Sequence, residues 1–141
     1  MVKNDEINDN LKTNPITIVG VVVHGRKEGR KIGFPTANIQ PELTKLLNQN
    51  QLKHIPTGIY ASKIKVKNNW YLCATSYGNA PTYNFWETTL ESHILDFDMD
   101  IYDQTVELQL TQYLRPIAKF EGIAKLIEQI KIDCQVVRDL N

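Results

Sequence analysis

Thr57-Gly58-Ile59-Tyr60-Ala61-Ser62-Lys63-Ile64-Lys65-Val66 and Trp70-Tyr71-Leu72-Cys73-Ala74-Thr75 flank Lys67-Asn68-Asn69. The outer segments are rich in β-branched and aromatic residues, and the middle one is polar. That order predicts two antiparallel strands joined by a tight turn. Working outward, Ile16 to Val23 is an apolar, β-branched run and reads as the first strand. Thr88 to Phe97 and Thr105 to Tyr113 read as strands on either side of a turn at Asp98–Gln104. Ser76 to Glu87 is expected to be an irregular loop around Gly78 and Pro81. In Pro41–Pro56, Leu43, Leu46 and Leu47 suggest a helical turn, followed by an Asn/Gln-rich loop. Short β segments with turns between them make the chain mainly β, a small barrel or sandwich. The tail changes period. From Phe120 on, Ile123, Leu126, Ile127, Ile130, Cys134 and Val137 fall at helical spacing. This predicts a C-terminal helix packed across the barrel and closing one open end.

The 141 residues suit one domain with one core. Residues 1–15, rich in Asn, Asp and Lys, read as a disordered leader ahead of a domain over 16–141. Sixteen basic residues balance sixteen acidic ones, so no broad electrostatic grip on nucleic acid is indicated. An oligonucleotide-binding barrel would want basic and aromatic residues interleaved on its strands. Here the basic residues concentrate in one loop. Cys73 and Cys134 lie far apart and form neither metal-ligand spacing nor a disulfide framework. No apolar run is long enough to span a bilayer, and the polar start is not a secretory signal. A cytoplasmic monomer without nucleic-acid or membrane partners is expected.

The chemistry concentrates in Gly25-Arg26-Lys27-Glu28-Gly29-Arg30-Lys31-Ile32-Gly33-Phe34-Pro35-Thr36-Ala37-Asn38. Glycines allow backbone N–H groups to approach a phosphate closely, and basic side chains add charge. Gly25, Gly29, Arg30, Lys31 and Gly33 are therefore candidate phosphate-covering residues, in a loop expected to order when nucleotide binds. Pro35 fixes its own φ and restricts Phe34, so Thr36 and Asn38 leave the turn in a defined direction. If this piece is extended, the two side-chain oxygens share one face and can converge on a cation. The pattern suits a metal-bound polyphosphate. It is not a Walker motif.

Gly20-Val21-Val22-Val23-His24-Gly25 and Gly33-Phe34-Pro35-Thr36-Ala37-Asn38 together resemble the riboflavin kinase family. Gly58-Ile59-Tyr60-Ala61, Gly78 with Pro81-Thr82-Tyr83, and Leu90-Glu91-Ser92-His93-Ile94-Leu95-Asp96-Phe97 follow in family order. So do Tyr102, Leu114-Arg115-Pro116, Lys119-Phe120 and a final helix with Asp133. The resemblance covers residues 16–138. It implies a six-stranded antiparallel Greek-key barrel with a C-terminal α-helix. It also implies transfer of the ATP γ-phosphate to the ribityl 5′-hydroxyl of riboflavin, giving FMN and ADP. By the same resemblance, Thr36 and Asn38 sit at the site of Mg²⁺ (or another divalent cation) and ATP, and Glu91 is the catalytic base. Alternation puts Glu91, His93, Leu95 and Phe97 on one face, where an apolar setting would suit a base.

Arg115 is expected to reach phosphate or flavin with its fork of donors. Phe120 and Ile123 are expected to help wall a slot for the flat ring. Many relatives carry the kinase behind a nucleotidyltransferase domain; the resemblance implies the kinase module alone. The chain departs from the family pattern at Ala80, at Tyr77-Gly78 and at Asp103, where glycine is common. None of these touches Thr36, Asn38 or Glu91. The competing reading is a non-catalytic flavin- or nucleotide-binding module on the same fold.

Overall fold

The structure, a computed structural model, describes residues 4–24, 33–41, 52, 55–81 and 86–141. Its elements run α1 (Asn4–Thr13), β1 (Ile16–Val23), β2 (Ala37–Pro41), β3 (Gly58–Val66), β4 (Asn69–Pro81), β5 (Trp86–Ile94), β6 (Thr105–Arg115) and α2 (Ile123–Asp139). The six strands close into an antiparallel barrel of order β1-β2-β5-β4-β3-β6. β3, β4 and β5 form a meander, and β6 returns to lie between β3 and β1, the Greek-key connection.

The predicted hairpin forms a seam of nine residue pairs, as long as that between β4 and β5. It runs from Gly58↔Tyr77 to Val66↔Asn69. Lys67 and Asn68 carry φ of 49° and 70°, so two residues with positive φ make the reversal and Asn69 is already paired. That geometry matches the right-handed twist of the strands it joins. β1 has the predicted bounds, and its residues alternate between buried and half-buried along its length. Ile18, Val22, Tyr60, Ile64, Val66, Leu90, Leu108 and Leu110 fill the interior.

The interior also holds a dry chain of hydroxyls. Ser62 Oγ lies 2.6 Å from Thr75 Oγ1, which lies 2.8 Å from Ser92 Oγ, linking β3, β4 and β5. Ser62 donates to the Cys73 carbonyl at 3.0 Å. With its one proton committed there, Thr75 must donate to Ser62, and Ser92 to Thr75. Burial pushes the neighbouring Cys73 thiol up to about 11, so it stays protonated. Thr75→Val keeps the shape but leaves both serines short of a partner, an expected loss of about 2 kcal/mol. Urea unfolding at unchanged m-value checks this; an unaltered midpoint would contradict it.

Four expectations need correction. The leader is a helix, not a disordered segment, over Asn4–Thr13. Its polar composition hides Ile7 and Leu11, four residues apart, which share one face and are buried in the barrel's core cluster. The helix packs on β6, where β6 is bulged between its pairings with Ile59 and Ser62. There Asn8 Oδ1 accepts the Tyr113 N–H at 2.8 Å. Second, Ser76–Pro81 is strand, not loop. Gly78 does not break β4: it brings Thr89 Oγ1 and Ile117 Cδ1 so close that a Cβ would sit 2.9 and 3.4 Å from them. Third, β5 begins at Trp86 and ends at Ile94 rather than running to Phe97. Fourth, α2 does not close an end. It lies on the outer face of β3 and β4, where Cys134 and Val137 pack with Ala61 and Leu95 in a second cluster.

Asp103 also has a backbone explanation. Its φ of 65° is left-handed, a region where glycine is easiest and Asp is tolerated. Most of Pro41–Pro56 lies outside the described residues. Leu52 is buried, and its carbonyl accepts the Tyr77 hydroxyl at 3.0 Å.

Candidate active site

β2 and β5 are far apart in sequence and meet through two residue pairs, Ala37↔Ser92 and Asn38↔Glu91. Ser92 is buried inside the barrel, so the alternation of strands turns Asn38 and Glu91 outward together. Directly opposed residues of this kind hold their Cβ atoms about 5 Å apart. The bend at 36–38 and the carboxylate at 91 are therefore neighbours.

The register continues the row. Glu91 pairs with Ser76, Ser76 with Ile59, and Ile59 with Arg115. One lateral line thus crosses five strands as Asn38, Glu91, Ser76, Ile59, Arg115. At one strand spacing per step it is roughly 19 Å long, with Glu91 next to the Asn38 end.

A cavity of ≈ 310 Å³ adjoins the Asn38 end of this row. It lies between the end of β1 at Val22, the bend at Pro35–Ala37 and the segment Phe97–Tyr102, with Ser92 and Ile94 behind. Its size is at the lower end of small-molecule sites. Thr36 lines it, whereas Asn38 and Glu91 do not. Thr36 is thus the corner where the cavity meets the outer row. Loop 97–104 is held against β1 by Asp103 N–H donating to the Val22 carbonyl at 2.8 Å and Val22 N–H to the Gln104 carbonyl at 3.0 Å. Asp100 Oδ1 accepts the Tyr102 N–H at 3.0 Å, and the Tyr102 ring stacks on His24 at 3.9 Å.

Glu91 is exposed, which corrects the expected apolar setting. The alternation holds as far as Ile94, since Leu90, Ser92 and Ile94 point inward, but Phe97, past the strand's end, packs against the interior core rather than sharing the face of Glu91. Beside it on the outer face, His93 Nδ1 lies 2.9 Å from the Pro35 carbonyl. Gly33, at φ 87° and exposed, opens the bend with a conformation that suits glycine. Gly25, Gly29, Arg30 and Lys31 lie outside the described residues.

At the far end of the row, Arg115 grips Asp133 of α2. Its Nε donates to Oδ1 at 3.0 Å and its Nη2 to Oδ2 at 2.7 Å. Gln129 Nε2 also donates to Asp133 Oδ1, and Arg115 Nη1 to the Pro116 carbonyl. The guanidinium carbon lies 5.6 Å from the Phe120 ring centroid, a cation–π arrangement. Phe120 is half-buried beneath this contact, and Ile123 is 63% exposed. Ile117, also exposed, lies over Gly78.

Thr36, Asn38 and Glu91 were readable as candidates from the sequence. Ser76 and the cavity residues Phe97, Asp98, Asp100 and Tyr102 were not. Ser76 becomes part of the site only through register. The loop after β5 reads in sequence as a solvated turn, and only closure of the barrel sets it against Thr36.

Among the described residues, no helix is long and apolar enough to cross a membrane. A family model described as "Flavokinase: Riboflavin kinase" matches residues 12–141. The bifunctional riboflavin kinase/FMN adenylyltransferase of Listeria monocytogenes is 40% identical over 126 residues, covering 88% of this chain and 38% of its own length. The chain spans less than half the length of the bifunctional relatives it matches. Riboflavin kinase from Trypanosoma brucei superposes with a TM-score of 0.62 at 26% identity, over 89% of this chain and 79% of that one. A Streptococcus pneumoniae protein described as a macrolide-efflux protein superposes with a TM-score of 0.79 at 28% identity, over 97% of this chain and 46% of that one.

Proposed function

Since the chain belongs to the riboflavin kinase family, we propose that it phosphorylates riboflavin at the ribityl 5′-hydroxyl, with ATP as donor. The observation that carries this reading is the outer row, which sets Glu91 beside Asn38 and runs on to Arg115. The nucleotide occupies the cavity at Thr36, with its phosphates leaving past that corner toward Glu91. The flavin lies along the row, its ribityl chain over Ser76 and its ring toward Ile59, Ile117 and the Arg115–Phe120 pair.

The donor set suits a divalent cation. The Thr36 hydroxyl and the Asn38 amide oxygen, two hard ligands, would hold such an ion, with the rest of an Mg²⁺ shell left to phosphates and water. Bound there, it would neutralise charge on the transferring phosphoryl group. Glu91 takes the proton of the 5′-hydroxyl as the new O–P bond forms and the bond to the β-phosphate oxygen breaks, releasing ADP. The remaining requirement is alignment, which the pairing of β2 with β5 supplies.

Incubation of the protein with riboflavin, Mg²⁺ and ATP, followed by chromatography, should show FMN appearing in step with ADP. Binding of both ligands without product would favour the non-catalytic module. Failure to bind either riboflavin or nucleotide would sink both readings.

A further inference from the structure

We propose that His93 is a positioning residue: its Nδ1–H holds the Phe34–Pro35–Thr36 bend, and so fixes the point at which Thr36 meets the nucleotide's phosphates. The inference rests on the kinase reading for its consequence, but its geometry stands apart from it.

A carbonyl oxygen only accepts, so the 2.9 Å contact from His93 to Pro35 requires the proton on Nδ1. Among the described residues His93 makes its hydrogen bond to Pro35 and none to Glu91, so the geometry gives it the bend rather than the carboxylate to hold. What it does there follows from where the ladder stops. The last backbone pair between β2 and β5 is Ala37↔Ser92. One residue further along β5 stands His93, and one residue back from Ala37 stands Thr36. At that step a side-chain hydrogen bond takes the place of the missing ladder pair.

A second contact supports the first. The Phe34 ring meets the His93 ring edge-on, with centroids 5.4 Å apart and planes at 72°. The imidazole therefore holds two of the three bend residues, and Thr36 is the third. Without it, the bend would hang between Gly33, at positive φ and exposed, and the start of β2, whose first pairs are Ala37 with Ser92 and Asn38 with Glu91 and Val23. Thr36 lines the nucleotide cavity, so a loosened bend should weaken nucleotide binding without touching the flavin end of the row.

The variants separate a positioning role from a general structural one. His93→Asn puts an amide nitrogen where Nδ1 was, two bonds from Cβ. His93→Gln puts it one carbon further out, and His93→Leu removes the donor. Loss of one such hydrogen bond typically costs a factor of about ten in the equilibrium it supports. His93→Leu and His93→Gln should weaken Mg–ADP binding about tenfold and raise KM for Mg–ATP more than they lower kcat. Riboflavin affinity should stay unchanged, and His93→Asn should remain within about twofold of the parent. In the ligand-free protein, amide exchange should rise at residues 33–37 in the Leu and Gln variants alone.

Equal behaviour of the Asn and Gln variants would overturn the proposal. So would a loss of riboflavin affinity matching that of Mg–ADP. If His93→Leu does not fold, the Asn–Gln comparison still decides. Absence of FMN production in the parent would remove the kinase reading and leave the tether to be judged by exchange at Thr36 and Ala37, where no change in the Gln variant refutes it.

Discussion

Glu91→Gln is expected to lower kcat for FMN formation by about 10²–10⁴-fold, the usual worth of a positioned base. The substitution keeps the shape and most of the hydrogen-bonding capacity of the side chain, but its amide cannot take a proton. Glu91 is exposed, so the change leaves no buried charge and should barely move the unfolding midpoint. It pairs with Asn38 and Ser76 through backbone register, which the side chain does not determine. Riboflavin and Mg–ADP should therefore still bind with nearly the parent affinities. Steady-state kinetics and equilibrium titration of the same preparation give both readouts. Turnover within a few-fold of the parent would show that the proton goes elsewhere, and Glu91 would lose its assigned role.

Arg115→Ala should be the most destabilising of the surface substitutions considered, by about 3 kcal/mol. Asp133 is only 6% exposed, and Arg115 supplies two of the three side-chain donors on its carboxylate. Removing the guanidinium leaves a buried anion with Gln129 alone. The figure is set at the low end of the range for breaking a buried pair because the Arg115 side chain is itself 21% exposed. The same change frees Phe120 from its cation–π partner. Thermal unfolding should fall by roughly 10 °C. The double variant Arg115→Ala/Asp133→Ala should recover part of that loss, since no charge is then stranded. A double variant less stable than Arg115→Ala would mean that packing, not the charge pair, dominates this corner.

How far such features can be read from sequence depends on how local they are. The β3–β4 hairpin was legible because its paired residues and its reversal, Gly58 to Tyr77, are consecutive in the chain. β1 was legible because every second residue is apolar and buried. The N-terminal helix was not, because eight polar residues hide two apolar ones, and the partner that gives them a purpose, β6, lies about a hundred residues away. The second half of β4 was misread because Gly78 and Pro81 look like breakers; in the fold, Gly78 makes room for Ile117. For the site, Thr36, Asn38 and Glu91 were readable as residue types in a familiar order. That Asn38 faces Glu91 is a matter of register between two strands more than fifty residues apart. The same distance hides the bond from His93 to Pro35, and the Arg115–Asp133 pair needs the helix to be docked first.

If the chain is the kinase proposed above, barrel closure and the alignment of the reactants are the same mechanical event. Two ladder pairs zip the cylinder shut between β2 and β5, and one of them carries the amide and the acid on its two sides. Any thermal breathing that unzips this short stitch separates the donor's grip from the acceptor's before the rest of the shell has lost a contact. Heat should therefore silence the protein several degrees below the temperature at which it melts.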